Sequence, residues 1–196
     1  AFLVRYKDVF KKVEKKYGVS ANIITSILLV ETKLGSSTGK NLVLYKLSQL
    51  ALADLPKNIN KNIAYWRKKD KTVTSLQLKK RAKVLKKIFY PELLALFKAA
   101  KKHNLDILSL KGSYSGAFGL PQFLPSSMLK YGVDGNQDGK VSLFEEIDAI
   151  YSVANYLKVH GWKSSLPPSV QTQVILSYNN SKPYGEAVLK VAELLK

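Results

Sequence analysis

Apolar residues recur at helical spacing along nearly the whole chain, and a single Gly-rich stretch breaks the rhythm. Phe2, Tyr6, Val9, Phe10, Val13 and Tyr17 fall on one stripe of a helix. Gly18 follows them and suits a left-handed C-terminal cap. Ser20 suits the N-cap of a second helix, through Ile23, Ile24, Ile27, Leu28 and Val30. That helix is apolar nearly all round, so it is expected to be buried. It closes on Glu31-Thr32-Lys33-Leu34-Gly35 and the loop Ser36-Ser37-Thr38-Gly39. Residues 41–55 read as a helix, and 58–69 and 75–90 as lysine-rich amphipathic helices. Pro91 is expected to start a separate helix through Leu94, Phe97 and Ala100. Pro125 starts a short helix to about Tyr131, a polar loop covers 134–145, and a helix runs from Glu145 to His160. Pro167-Pro168 and Pro183 open the last two helices. The exception is Gly112-Ser113-Tyr114-Ser115-Gly116-Ala117-Phe118-Gly119-Leu120-Pro121-Gln122, too rich in glycine for a regular helix. Its Pro121 argues against a central strand. The expected fold is mainly α.

The 196 residues suffice for one domain, or for one domain carrying an insertion. With no cysteine, disulfides, thiolate nucleophiles and Cys-type zinc sites are excluded. His103 and His160 alone make a histidine-based metal site unexpected. No apolar run reaches the roughly 18 residues of a membrane span. The opening residues are already helical in pattern and unlike a signal peptide, so the chain reads as a mature or trimmed product. Lys and Arg number 32 against 14 Asp and Glu, a net +18. Between Lys57 and Lys102 there are 15 basic and 2 acidic residues, a net +13. Such a field favours an anionic partner: nucleic acid, an acidic membrane surface or an anionic polymer. No helix-turn-helix, zinc or RNA-binding signature accompanies it, so nucleic acid is not expected. No heptad seam is present, and a monomer is expected.

Glu31 is the candidate catalytic residue. It ends an apolar helix just before a glycine-containing bend, where a rigid element holds it in desolvating surroundings. Desolvation raises a carboxyl pKa and keeps the group able to donate a proton. Cleavage of a glycosidic bond needs such an acid, because the leaving oxygen must be protonated as the oxocarbenium-like centre develops. Gly112, Gly116 and Gly119 let backbone approach a ligand, while Ser113 and Gln122 offer groups that hydrogen-bond sugars and orient a carboxyl group. No second carboxylate accompanies these motifs, whereas a two-carboxylate hydrolase needs one roughly 5 to 9.5 Å from the first.

These motifs resemble a known family. Val30-Glu31-Thr32-x-x-Gly35 comes first, then Gly112-Ser113-Tyr114-x-Gly116-Ala117-x-Gly119 and Gln122-Phe123-x-Pro125-Ser126-Ser127. Asp148-Ala149-Ile150, Ser152-Val153-Ala154-Asn155-Tyr156-Leu157 and His160-Gly161-Trp162 follow, and Ser177-Tyr178-Asn179-Asn180-Ser181 with Tyr184 comes last. In this order they resemble the MltB-type membrane-bound lytic murein transglycosylases, from residue 18 to about 190, with 40–111 weakly matched. The resemblance implies a goose-type, lysozyme-like catalytic domain. It implies that Glu31 first protonates the bond between N-acetylmuramic acid and N-acetylglucosamine. The same carboxyl group then takes the proton of the muramic C6 hydroxyl, giving a 1,6-anhydro product. It further implies that Ser113 and Gln122 hold Glu31 and the sugar, and that Tyr156, Tyr178, Asn179 and Tyr184 line the cleft. A lysozyme-type hydrolase on the same fold and a non-catalytic cell-wall-binding protein are the alternative readings.

Asp134-x-Asn136-x-Asp138-Gly139, then Glu145, fits the EF-hand pattern, with Lys140 offering its backbone carbonyl and Val141 an apolar side chain. A structural Ca²⁺ is expected there. The family resemblance puts the last carboxylate at Asp148, so Glu145 and Asp148 compete for that role.

The expected domains are 1–40 plus 112–196 for catalysis, and a lysine-rich helical lobe over 41–111, where the family inserts extra helices. Peptidoglycan glycan strands are the expected partner, and the carboxylates of their stem peptides suit a positive lobe. By resemblance the setting is the periplasm, at the outer membrane, with a membrane anchor absent from this chain.

Overall fold

The computed structural model describes residues 1–70 and 72–196. It is mainly helical, with ten helices and one two-stranded ladder among the described residues. Two compact units divide the chain. The first comprises Ala1–Thr38, Phe118–Phe123 and Lys130–Lys196; the second comprises Gly39–Ala117 and Leu124–Leu129.

In the first unit, α1 (Phe2–Arg5) and α2 (Lys7–Tyr17) interrupt at Tyr6 what the periodicity reads as one helix. Helix α2 ends as expected, on Gly18 with φ +69°. Helix α3 (Ala21–Thr32) begins where the Ser20 hydroxyl accepts from the Ile23 N–H. Its Ile24, Ile27 and Leu28 are completely buried. Around α3 pack α2, α8 (Glu146–Val159) and α10 (Lys182–Leu194), while α9 (Pro168–Tyr178) packs on α8 and α10. Prolines sit in the first turns of α9 and α10, where a missing N–H costs nothing.

In the second unit, residues 41–55 are not one helix. Asn41–Leu42 form β1, antiparallel to β2 (Lys111–Gly112), and α4 (Val43–Ala51) follows directly. Helix α5 (Pro56–Lys69) buries none of its residues. Pro91 does not start a helix: α6 runs unbroken from Ser75 to His103 with Pro91 inside it. An interior proline typically costs about 3 kcal/mol. The cost is offset by packing on both sides of it, since Ala82, Ala95, Leu96 and Ala99 are buried and α4 lies along the helix. The next residue, Glu92, is buried too. Its carboxylate accepts from the Ser126 N–H at 2.9 Å and hydroxyl at 2.6 Å, at the start of α7 (Pro125–Tyr131). A negative charge at a helix N-terminus is favourable.

No helix among the described residues is long and apolar enough to cross a membrane. Replacing Glu92 by Ala leaves the Ser126 groups without their buried acceptor, so urea unfolding is expected to show a loss of about 2–3 kcal/mol. Unchanged stability would show that solvent replaces this clamp freely.

Candidate active site

Glu31 is the penultimate residue of α3, and a sharp bend just after the helix fixes its direction. Lys33, Leu34 and Gly35 are all left-handed, with φ of 52°, 58° and 91°. Two consecutive non-glycine residues in that region are strained. Hydrogen bonds hold the bend. The Leu34 N–H donates to Leu28 O at 3.1 Å and the Ser37 N–H to Thr32 O at 2.9 Å. The buried Thr32 hydroxyl donates to Leu120 O at 2.9 Å while accepting from the Gly35 N–H at 3.0 Å.

Leu120 belongs to a short, closed segment. Phe118 and Phe123 pair as an isolated antiparallel bridge, with Pro121 in the turn between them. Gly119, at φ +74°, has no room for a side chain, since a Cβ there would lie 2.4 Å from that of Leu143. Gln122, also left-handed at φ 49°, closes the segment. Its amide donates to Gly119 O at 2.9 Å and to Thr38 O at 3.1 Å, tying the segment to the loop after α3. Both amide protons are thus engaged with backbone, and Gln122 makes no hydrogen bond to Glu31 among the described residues.

Tyrosines face the carboxyl group. Burial raises the Glu31 pKa above its ordinary 4.5, and an interaction with the Tyr184 hydroxyl opposes the rise. The buried Tyr184 hydroxyl makes no hydrogen bond of good geometry to any described residue, Glu31 included. Its own pKa is raised, first by burial and then by the charge of Glu31. Tyr178 stacks on Tyr184 with ring centres 6.4 Å apart and donates its hydroxyl to Pro121 O at 2.6 Å. It too is held neutral, by burial first and then by Tyr184 and Glu31. Tyr156 meets Tyr178 edge-on at 4.8 Å and donates to Ser177 O at 2.5 Å. Phe123, Tyr131 and His160 complete this aromatic group around Tyr156.

The first unit therefore gathers Glu31, Tyr156, Tyr178 and Tyr184. Asn179 caps the C-terminus of α9 and is exposed. Ser113 belongs to the second unit, where its hydroxyl accepts from the Ala117 N–H at 3.1 Å and pairs with that of Ser115 at 3.2 Å. Thr32 was not legible as a positioning residue. Its buried place next to a candidate acid was the available signal, but its partner lies far along the chain.

The polar loop is built on its own oxygens. Asp134 accepts from the Asp138 and Gly139 N–H groups at 3.1 and 2.8 Å, Asn136 from Asp138 at 3.1 Å, and Asp138 from Lys140 at 3.1 Å. Gly139 takes the expected turn, at φ +91°. The two end candidates differ sharply. Asp148 is fully buried and accepts from the Gly135, Asn136 and Ser142 N–H groups at 2.8, 3.3 and 2.7 Å, closing the loop. Glu145 is exposed at the N-cap of α8 and makes no capping bond. The donors are all hard oxygens, the type a Ca²⁺ takes. No three His, Cys, Asp or Glu side chains are gathered as metal ligands among the described residues.

A helix end carrying one desolvated carboxyl group, braced by a glycine-bearing turn and faced by tyrosines, is a site for proton transfer. The family model for the transglycosylase SLT domain matches residues 1–174, and the chain belongs to that family. It is 36% identical over 161 residues to the membrane-bound lytic murein transglycosylase B of Escherichia coli (strain K12), a match covering 82% of this chain. The chain spans only 37% of the length of that relative. Among solved structures it resembles the soluble lytic transglycosylase SltB1 of Pseudomonas aeruginosa, with TM-score 0.77 and 29% identity over 98% of this chain and 75% of that one. It also resembles the Escherichia coli lytic transglycosylase Slt35 in complex with calcium, with TM-score 0.75 and 26% identity over 98% and 71%. The mainly α, lysozyme-like fold and the family read from the motifs are thus borne out.

The raised Glu31 pKa has a consequence for stability. Between about 4.5 and its folded value the native protein binds more proton than the unfolded chain. Stability from this group therefore falls as pH rises across that window. Glu31→Gln removes the effect, so the variant is expected to melt higher than the parent at neutral pH and to lose the advantage below pH 4.5. An equal difference at both pH values, read by thermal denaturation, would rule out this coupling.

Proposed function

We propose that the chain is a peptidoglycan lytic transglycosylase in which Glu31 acts as acid and then as base. The observation that carries the reading is the isolation of this carboxyl group. Glu31 stands at the end of α3, desolvated by burial and beside the Tyr184 ring. A lone acid suits a reaction whose nucleophile comes from the substrate. Glu31 gives its proton to the oxygen leaving C1 of N-acetylmuramic acid, and that oxygen keeps the bonding pair. The Tyr184 hydroxyl supports the carboxylate so formed. The carboxylate takes the proton of the muramic C6 hydroxyl as that oxygen bonds to C1. Glu31 ends protonated, no water is consumed, and the product is a 1,6-anhydro sugar. Tyr156, Tyr178 and Asn179 are assigned to the cleft lining. Ser113 is assigned to the sugar, and Gln122 to the turn that braces Glu31.

The reading is supported by the family and by the relatives, which are named as murein or lytic transglycosylases. The membrane-bound name of one relative supports a place in the cell envelope, and we assign the chain to the periplasm, at the outer membrane, as a monomer. Residues 1–40 plus 112–196 are assigned to catalysis, and 41–111 to a basic lobe.

The test is mass spectrometry of the soluble products from purified peptidoglycan. Products ending in 1,6-anhydro-muramic acid are expected, with the rate reduced about 10²- to 10⁴-fold in Glu31→Gln. The rate is expected to fall as pH rises through the raised Glu31 pKa, because the first step needs the acid form. Reducing ends that carry an added water would make the enzyme a hydrolase. No products from intact, folded protein would leave a binding module.

We further propose that Asp134, Asn136, Asp138, the Lys140 carbonyl and either Glu145 or Asp148 hold a Ca²⁺ as a structural clamp. The relative solved with calcium supports this. At a hundredfold excess over its Kd, Ca²⁺ is expected to raise Tm by about 5–10 °C. The gain should disappear in Asp138→Ala, and a chelator-insensitive Tm in the parent would refute the clamp.

A further inference from the structure

The second unit contains an open cavity of about 790 Å³ whose lining is unlike a packing defect. Three helices contribute to it. From α5 come Asn58, Lys61, Asn62, Tyr65 and Trp66, spaced as one face of a helix. From α6 come Leu78, Arg81, Ala82 and Leu85, again one face. Tyr45, Lys46, Gln49 and Leu50 of α4 complete the wall with Tyr114.

The face that α5 turns to its neighbours is where an amphipathic helix carries aliphatic residues and closes the gap. Here it carries a lysine, two amides and two aromatic rings. The helix stays open, with no buried residue. Lys46, Lys61 and Arg81 bring three positive charges to one cavity, and no acidic residue lines it among the described residues. Asp54, a nearby acid on the loop before α5, is already paired with Lys86 at 2.9 Å. Like charges that share a concave site raise its affinity for an anion. The walls are aromatic. Lys46 Nζ lies 4.1 Å from the Tyr114 ring centre, and Tyr65 meets Trp66 edge-on at 5.6 Å.

We propose that this cavity of the second unit binds a carboxylate-bearing peptide, the stem peptide of peptidoglycan. Arg81 and Lys61 take the carboxylates, Asn58 and Asn62 the peptide amides, and the rings its short aliphatic side chains. The identity of the anion rests on the transglycosylase reading, whereas the anion site itself rests on the cavity. The feature is local: within residues 39–117 and 124–129 there are 18 basic and 4 acidic residues, and among the described residues these three cations face the cavity.

The experiment is an NMR titration of the whole chain with free stem pentapeptide, following the two tryptophan indole N–H resonances. Trp66 lines the cavity, and Trp162 is buried in the first unit. The Trp66 resonance is expected to move and that of Trp162 to stay. Affinity is expected to fall at least tenfold in Lys61→Ala/Arg81→Ala and less than twofold in Lys68→Ala/Lys69→Ala, which removes equal charge from outside the cavity. A pentapeptide with its carboxyl groups amidated is expected to bind at least tenfold more weakly. Equal binding by the two double variants, or by the amidated peptide, overturns the proposal. Tighter binding of a single-stranded oligonucleotide through Lys61 and Arg81 overturns it in favour of nucleic acid. Anhydro product formation is measured separately in the same samples. Products without peptide binding defeat this inference alone, and peptide binding without products defeats the transglycosylase reading alone.

Discussion

The buried Thr32 hydroxyl joins the last turn of α3 to Leu120, 88 residues further along the chain. Much of the first unit's site depends on that bond. It sets where α3 stops and brings Lys33, Leu34 and Gly35 into their left-handed bend. It also brings the Phe118–Phe123 segment against the end of the helix that carries Glu31. Gln122 then repeats the connection from the other side, reaching Thr38 and Gly119. A carboxyl group one residue before such a junction has little freedom to move. That is what a proton donor requires if the same group is to serve two successive steps.

The electrostatics of the site come from burial more than from charge. Desolvation is the largest influence on the Glu31 carboxyl group. Its proton is held by desolvation, and the opposing interaction comes from a tyrosine that burial keeps neutral. The tyrosines form a connected group because three chain segments supply them: α8 with Tyr156, the end of α9 with Tyr178, and the start of α10 with Tyr184. Each hydroxyl of the first two is satisfied by a backbone carbonyl. The third makes no hydrogen bond of good geometry among the described residues, and its influence is felt at Glu31.

How much of this was readable from sequence depended on the range of the interaction. Local rules worked well: Ser20 capping α3, Gly18 ending α2, and Pro168 and Pro183 starting helices are decided by neighbours within four residues. The desolvated setting of Glu31 was legible because an apolar helix ending in a carboxylate is locally unusual. Pro91 misled the local reading, since the packing of Leu96 and Ala99 and the buried Glu92 clamp lie beyond its neighbourhood. The strand at Asn41–Leu42 was missed for the same reason, its partner being Lys111–Gly112. Gln122 was read as a sugar-binding group from its type. Its engagement with two backbone carbonyls depends on a fold that spacing alone does not convey. The loop at 134–140 was legible as a turn rich in oxygen ligands, but the burial of Asp148 was not.

The two-residue ladder between β1 and β2 has a meaning for the history of the lobe. It holds Asn41 opposite Gly112 and Leu42 opposite Lys111, within the second unit. Backbone approaches closely beside the ladder: a Cβ on Gly39 would lie 2.2 Å from Gly112 O, and one on Gly112 would lie 2.3 Å from Ala117 O. Once the ends are pinned, doubling the enclosed length adds only about 0.6 kcal/mol of closure entropy. A longer connection between the helices is therefore cheap in closure entropy, while the glycines at the ladder are not exchangeable. Connections between the helices of this unit can change in length or charge while the ladder stays as it is.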